Sequence, residues 1–124
     1  MRKDERLAKN AQYAAVYRKG SSWASELLVL KALPNGLQSN RYGFSVSKRV
    51  GKAVVRNRVK RLLRENIRLT SVKRGWDLVF IARGAASTAD YPHMKEAVEG
   101  LLARAHLLIK VETEASANVG GAKR

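Results

Sequence analysis

Residues Val46 to Arg68 read VSKRVGKAVVRNRVKRLLRENIR, and two patterns overlap in them. Lys48, Arg49, Lys52, Arg56, Arg58, Lys60, Arg61, Arg64 and Arg68 stand against one acid, Glu65, so more than half of the chain's formal net charge of +15 sits in this one piece. The apolar residues keep helical time. Val55, Val59, Leu62 and Leu69, with Leu63 beside them, recur at the i, i+4, i+7 spacing of one buried face. At about 100° per residue, Arg56, Asn57, Lys60, Arg61 and Arg64 then gather on the opposite arc. The stretch predicts one helix with a core side and a basic side.

The position of the charge points to a partner. A helix amino end carries partial positive charge and favours acids, yet Lys48, Arg49, Lys52, Arg56 and Arg58 crowd the start of this one with no Ser/Thr/Asp capping box immediately ahead. Exposed cations there cost the free protein on the order of a few tenths of a kcal/mol each. A bound polyanion offsets that cost, because free N–H groups, helix dipole and side-chain cations then point at the same phosphates. A merely solvated face interleaves acids for i, i+4 pairing, and this one does not. Nucleic acid is the expected partner. Asn57, an uncharged amide in a run of cations, is a poor solubiliser; it is expected to fix neighbouring arginines or to make a specific hydrogen bond.

Upstream, Met1 to Arg6 is charged and expected to fray. A short helix is predicted over Leu7 to Lys19, with Leu7, Ala11, Ala14 and Ala15 as its small-residue face and Gly20 as its stop. Tyr13 and Tyr17 lie at i, i+4 and share a stripe; spacing alone leaves core packing and the stacking of unpaired bases equally open. Ser22 to Leu33 reads as one strand, apolar enough at Leu27 to Leu30 to be covered on both faces. Pro34, Asn35 and Gly36 make a turn, and Arg41 to Ser47 runs back as a second strand. In it Tyr42, Phe44 and Val46 point one way while Gly43, Ser45 and Ser47 point the other, so one face stays open for close helix packing or for a nucleotide backbone.

Downstream, Lys73, Arg74 and Gly75 are expected to close the basic helix, with cations near its negative end. Trp76 to Arg83 reads as a buried strand and Gly84 to Asp90 as a loop. Pro92 fits the first turn of a last helix whose apolar stripe is Met94, Ala97, Val98, Leu101, Leu102, Ala105 and Leu108. The order is α+β with one strand–helix–strand crossover, which the general rule makes right-handed.

With 124 residues and 45% hydrophobic composition, the chain fits one domain, placed at residues 1–111. The Ala/Gly/Ser-rich end, 112–124, is predicted to be a disordered tail. There is no cysteine, which excludes disulfides and Cys-ligated zinc and makes a reducing cytoplasmic setting the simplest expectation. No apolar run is long enough to span a bilayer, and MRKDERLAKN lacks the hydrophobic segment of a secretory signal. A membrane surface is disfavoured as the acidic partner, because the basic helix opposes its charges with small aliphatics rather than a bulky Trp/Phe/Leu face.

Several of these stretches together resemble the protein subunit of bacterial ribonuclease P. VSKRVGKAVVRNRVKRLLRE resembles the family's signature, an Arg-Asn-Arg core on a long helix after a Ser-x-Ser-Lys-Lys/Arg strand end. RLAKNAQYAAVYRKG resembles its amino-terminal helix, RYGFSVSKR its central strand and DLVFIAR its following strand, so the similarity covers Arg6 to Leu108. The resemblance implies an α+β, single-domain αβββαβα-type sandwich. Its βαβ crossover would be left-handed, against the general rule, as in domains of a ribosomal small-subunit protein and of the translocation elongation factor.

The resemblance also implies a function, as a subunit of the endoribonuclease that removes the 5′ leader of precursor tRNA. The catalytic RNA would perform Mg²⁺-dependent hydrolysis while the protein binds substrate and assists. Lys48, Arg49, Lys52, Arg56, Asn57, Arg58, Lys60, Arg61, Arg64 and Arg68 would contact that RNA and help hold Mg²⁺ near the cleavage site. Tyr13, Tyr17, Lys31 and Ser45 would line a cleft for the single-stranded leader. Lys31 departs from the family, which often has an aromatic there, so a phosphate contact would replace stacking. Mg²⁺ is expected mainly on the RNA, and no metal ligand of the chain is assigned.

The residues by themselves predict a binder, and no catalytic residue is assigned. The ten acids are scattered, with no pair on one helical face suited to acid–base work or to two metal ions. His93 and His106 are not at zinc-ligand spacing. Gly51-Lys52 fails as a phosphate-binding loop, since Val46 stands in place of the first glycine and Ala53 in place of the Ser/Thr. A structural RNA-binding protein of the ribosome is the alternative, being equally small and basic. A DNA-binding protein fits less well: no leucine heptads continue from the basic helix, and no helix–turn–helix partner precedes it.

Overall fold

Leu28, Leu30 and Ala32 alternate with Val29, Lys31 and Leu33, and this period of two buries the first set while leaving the second on the other face of a strand. The same alternation, repeated in neighbouring strands, divides the molecule into two layers of helices around one sheet. The computed structural model describes residues 5–109. Its elements are α1 (Asn10–Lys19), β1 (Ser21–Ala24), β2 (Leu28–Pro34), β3 (Arg41–Ser45), α2 (Ala53–Arg68), β4 (Trp76–Ala82) and α3 (Tyr91–Arg104). A 3-10 turn, Gly84–Thr88, precedes α3. The order is αβββαβα. The sheet runs β1-β2-β4-β3, with β2 antiparallel to both neighbours and β3 parallel to β4 across the α2 crossover.

The single strand expected over Ser22 to Leu33 is a hairpin. Ser25 N–H donates to the Leu28 carbonyl at 2.8 Å and Leu28 N–H to Ser25 Oγ at 3.2 Å, so a serine turn breaks the run. The predicted turn at Pro34 to Gly36 forms as expected. Asn35 Oδ1 accepts the Leu37 N–H at 2.8 Å, and Gly36 takes φ +73°.

One face of the sheet, with Leu28, Leu30, Leu78 and Phe80, packs against Val59, Leu63 and Ile67 of α2 and Met94, Val98, Leu101 and Leu102 of α3. Across the sheet a smaller cluster, Leu7, Val16 and Val79, holds α1. Two sequence expectations change here. The first helix begins at Asn10, because Leu7 is in extended chain donating its N–H to the Tyr42 carbonyl at 2.9 Å. Val16, rather than the predicted alanine face, is its buried anchor.

The core side of α2 keeps its predicted register at Val55, Val59, Leu62 and Leu63 and differs at its last residue. Leu69 is 61% exposed, because the helix ends at Arg68 and Leu69 caps it; Ile67 takes the buried place. Gly75 does adopt a positive φ, +94°, but at the turn into β4 rather than as the helix stop. Arg6 pairs in a bridge with Tyr42 instead of fraying. The expected tail, 112–124, the domain end at 111 and residues 1–4 lie outside the described residues.

Helix α3 starts at Asp90, whose carboxylate accepts the His93 backbone N–H at 3.0 Å and also meets its Nδ1. Hydrogen bonding to Asp90 raises the His93 pKa, while the His93 backbone and side chain lower that of Asp90. A raised histidine contributes stability that is complete below its unfolded pKa and lost as pH rises through the folded one. A lowered carboxylate contributes stability present above its unfolded pKa and lost as pH falls through the folded one. The cap is therefore most effective between the ordinary carboxylate and histidine ranges. Thermal unfolding at about pH 5.5 and about pH 8.5 should show His93→Ala lowering the midpoint more at the lower pH than at the higher.

Candidate nucleic-acid interface

Helix α2 is positioned by its buried residues, and they decide which cations face outward. Asn57, Arg61, Arg64 and Arg68 are exposed along one arc; Arg56 and Lys60 are half-buried at its flank. Lys48 and Arg49 are exposed in the turn after β3, and Lys52 occupies the N-cap with no side-chain cap bond. No acid stands in the first turn. Of these cations Arg68 pairs with Glu65, and among the described residues no other ridge cation has a carboxylate partner.

Two arginines are tied to the fold itself. Arg56 Nε donates to the Gly51 carbonyl at 3.2 Å, closing the turn that leads into the helix. Arg58 donates to the Ala89 carbonyl at 3.0 Å and to the Ser87 carbonyl, fastening α2 to the segment between β4 and α3. The sequence reading grouped Arg58 with the RNA-facing cations. In the folded chain its guanidinium holds two backbone carbonyls.

The other predicted group assembles on the opposite face of the sheet. Cross-strand register sets Ser22, Lys31, Val79 and Gly43 in one row and Ala24, Val29, Ile81 and Ser45 in the next. Lys31 and Ser45 thus share a face, two strand spacings or about 10 Å apart laterally. Tyr13 of α1 lies against Gly43, where an added Cβ would stand 2.6 Å from both its Cε1 and its Oη. Burial raises the Tyr13 pKa, with Tyr17 adding to the effect. Tyr17 itself is 41% exposed. All four residues predicted for the cleft therefore border one half-open face, floored by the half-buried Val29 and Ile81, which spacing did not single out.

Ser45 ends β3, and Lys48 follows three residues later, so the strand that carries this face leads through a short turn to the first cations of the ridge. A cavity of about 570 Å³ lies elsewhere, between the β1–β2 turn and α3. Its lining mixes Glu26 and Glu96 with His93 and Arg104, and none of the residues predicted to bind RNA borders it. Among the described residues no group of three His, Cys, Asp or Glu side chains is placed to hold a metal. The ridge offers ammonium and guanidinium groups and the single amide oxygen of Asn57, too few oxygen ligands to hold a hard dication by themselves. No helix of the described residues is long and apolar enough to cross a membrane.

A basic helix in which Arg68 alone of the ridge cations meets a carboxylate among the described residues, together with a half-open sheet face bordered by two tyrosines, defines an α+β protein of the RNA-binding class. The ribonuclease P family model matches residues 1–106. A ribonuclease P protein component from Dehalococcoides mccartyi (strain CBDB1) is 45% identical over 116 residues, covering 94% of this chain and 97% of the relative. A mutant RNase P protein from Staphylococcus aureus superposes with a TM-score of 0.80 at 34% identity, covering 86% of this chain and 92% of its own. The RNase P protein from Thermotoga maritima gives a TM-score of 0.74 at 31% identity, covering 81% and 96%. The chain belongs to the ribonuclease P protein family. It is thereby a subunit of an endoribonuclease holoenzyme with an RNA partner, serving the 5′ processing of tRNA, and the ribosomal alternative is displaced.

Proposed function

We propose that this protein works in the cytoplasm by binding two RNAs at once. The ridge of Lys48, Arg49, Lys52, Asn57, Lys60, Arg61, Arg64 and Arg68 contacts the catalytic RNA, with Arg56 and Arg58 setting its shape. The face bordered by Tyr13, Tyr17, Lys31 and Ser45 receives the 5′ leader of precursor tRNA. The single observation that supports this reading is a ridge of cations, of which Arg68 alone meets a carboxylate among the described residues, beginning three residues after the strand that ends the half-open sheet face.

The catalytic RNA carries Mg²⁺-dependent phosphodiester hydrolysis, and the chain's own residues bind and orient. Tyr13 and Tyr17 supply ring faces on which unpaired bases stack. Lys31 supplies a point charge for a leader phosphate, and Ser45 a hydroxyl for its backbone. Ridge cations neutralise phosphates that close RNA packing brings together, which lowers the magnesium needed to hold them.

The test is reconstitution. Purified protein, the organism's own ribonuclease P RNA and precursor tRNA are mixed at low magnesium, and cleavage at the 5′ end of the mature sequence is measured. Stimulation over RNA alone is expected, and its absence would sink the proposal. Asn57→Ala should raise the magnesium midpoint of cleavage, while Tyr17→Ala should weaken binding of leader-bearing substrate and leave mature tRNA nearly unchanged. Equal loss for both substrates would refute the cleft assignment.

A further inference from the structure

Val54 stands 80% exposed in the first turn of α2, more open to solvent than any other large apolar side chain among the described residues. It belongs to neither hydrophobic cluster, so the core does not use it. A β-branched residue is also a poorer helix former than alanine, lysine or arginine, so the helix gains nothing from it. Single exposed apolar residues are ordinary on protein surfaces. The surroundings of this one are not. At helical spacing Val54 falls on the same arc as Asn57, Arg61, Arg64 and Arg68, all exposed, and Lys52 caps the helix beside it.

RNA offers more than phosphates to a surface laid along it. Ribose edges and unstacked bases come within reach wherever the backbone is held, and an apolar group among the cations meets them. We infer that Val54 is an apolar footing for a ribose or an unstacked base of the bound catalytic RNA. It adds affinity that does not depend on counterion release. This rests on the RNA-binding reading of α2 given above, which it extends from phosphate neutralisation to a contact of different chemistry.

Counterion release separates the two kinds of contact. Losing a phosphate contact lowers the slope of log K against log salt by about one unit, whereas losing an apolar contact moves the line down without tilting it. Full-length protein is titrated with the organism's ribonuclease P RNA across a salt series as wild type, Val54→Thr, Val54→Ala and Arg61→Ala. Threonine keeps the shape and β-branch while losing apolarity; alanine raises helix propensity while losing the contact. Both Val54 variants should bind about fivefold more weakly at every salt concentration, a little under 1 kcal/mol at the tenfold-per-1.4 scale, with the wild-type slope; Val54→Ala should melt no lower than wild type, so its weaker binding is not a loss of fold. Arg61→Ala should lose slope.

If both Val54 lines coincide with wild type while Arg61→Ala loses slope, the footing is overturned and the RNA-binding reading of α2 stands. A tilt in the Val54 lines overturns it as well, because the loss would then come through displaced cations. Wild-type protein that shows no salt-dependent binding removes the reading of α2 itself, and the footing with it.

Discussion

Gly43→Ala is expected to lower affinity for leader-bearing precursor tRNA by about tenfold while leaving mature tRNA binding almost unchanged. The added methyl would stand 2.6 Å from Tyr13 Cε1 and Oη and 2.8 Å from Cζ, distances no packed Cβ tolerates. The ring has to swing away, because β3 is held in the sheet by its parallel pairing with β4. A base–aromatic stack is worth about 1–3 kcal/mol, so displacing one ring accounts for the loss. Tyr13→Ala should give a similar deficit, and the double variant should be no worse than either single one, since both changes act through the same ring. Competitive binding with and without the leader measures all three. Additive losses would show that Gly43 acts on the strand rather than on the tyrosine.

Asp77→Ala should cost about 3 kcal/mol of folding stability, the lower end of the range for breaking a buried pair. Asp77 is 5% exposed and accepts Arg41 Nε at 2.8 Å and Nη2 at 2.7 Å, with Asn35 Nδ2 at 3.0 Å on the same carboxylate. The hydrogen bond to Asp77 raises the Arg41 pKa, and an arginine keeps its charge even without such help, so the guanidinium stays charged after its partner is gone. Such a loss is a large share of the roughly 5–15 kcal/mol that holds a domain of this size together. Urea unfolding should show the midpoint fall with little change in slope. Replacing both partners, Arg41→Met with Asp77→Leu, should recover most of the loss, because no uncompensated charge then remains inside.

Helix α2 was readable from the chain because its apolar period and its charge agree on one register; Val59 and Leu63 are fully buried where that pattern places them. The break between β1 and β2 was not, since Ser25, Glu26 and Leu27 contain neither glycine nor proline and lie beside an apolar run. The anchoring of Arg58 was beyond reach for a different reason. Its acceptors are 29 and 31 residues away in sequence, in a loop with no distinguishing composition. Lys31 and Ser45 came to the cleft through resemblance rather than spacing, and what joins them physically is strand register. That Gly43 receives Tyr13 was legible only as a small-residue face, because the alternation of β3 shows room without showing what fills it.

Two hydrophobic clusters of unequal size lie on the two sides of one sheet. The larger carries the weight of folding, and the side chains bordering the face proposed to receive the leader contribute little to it. On the proposed reading, changes at Lys31 and Ser45, which belong to neither cluster, can therefore retune nucleotide preference without endangering the scaffold. The architecture leaves recognition free to drift with the host's transcripts while the frame that displays it stays fixed.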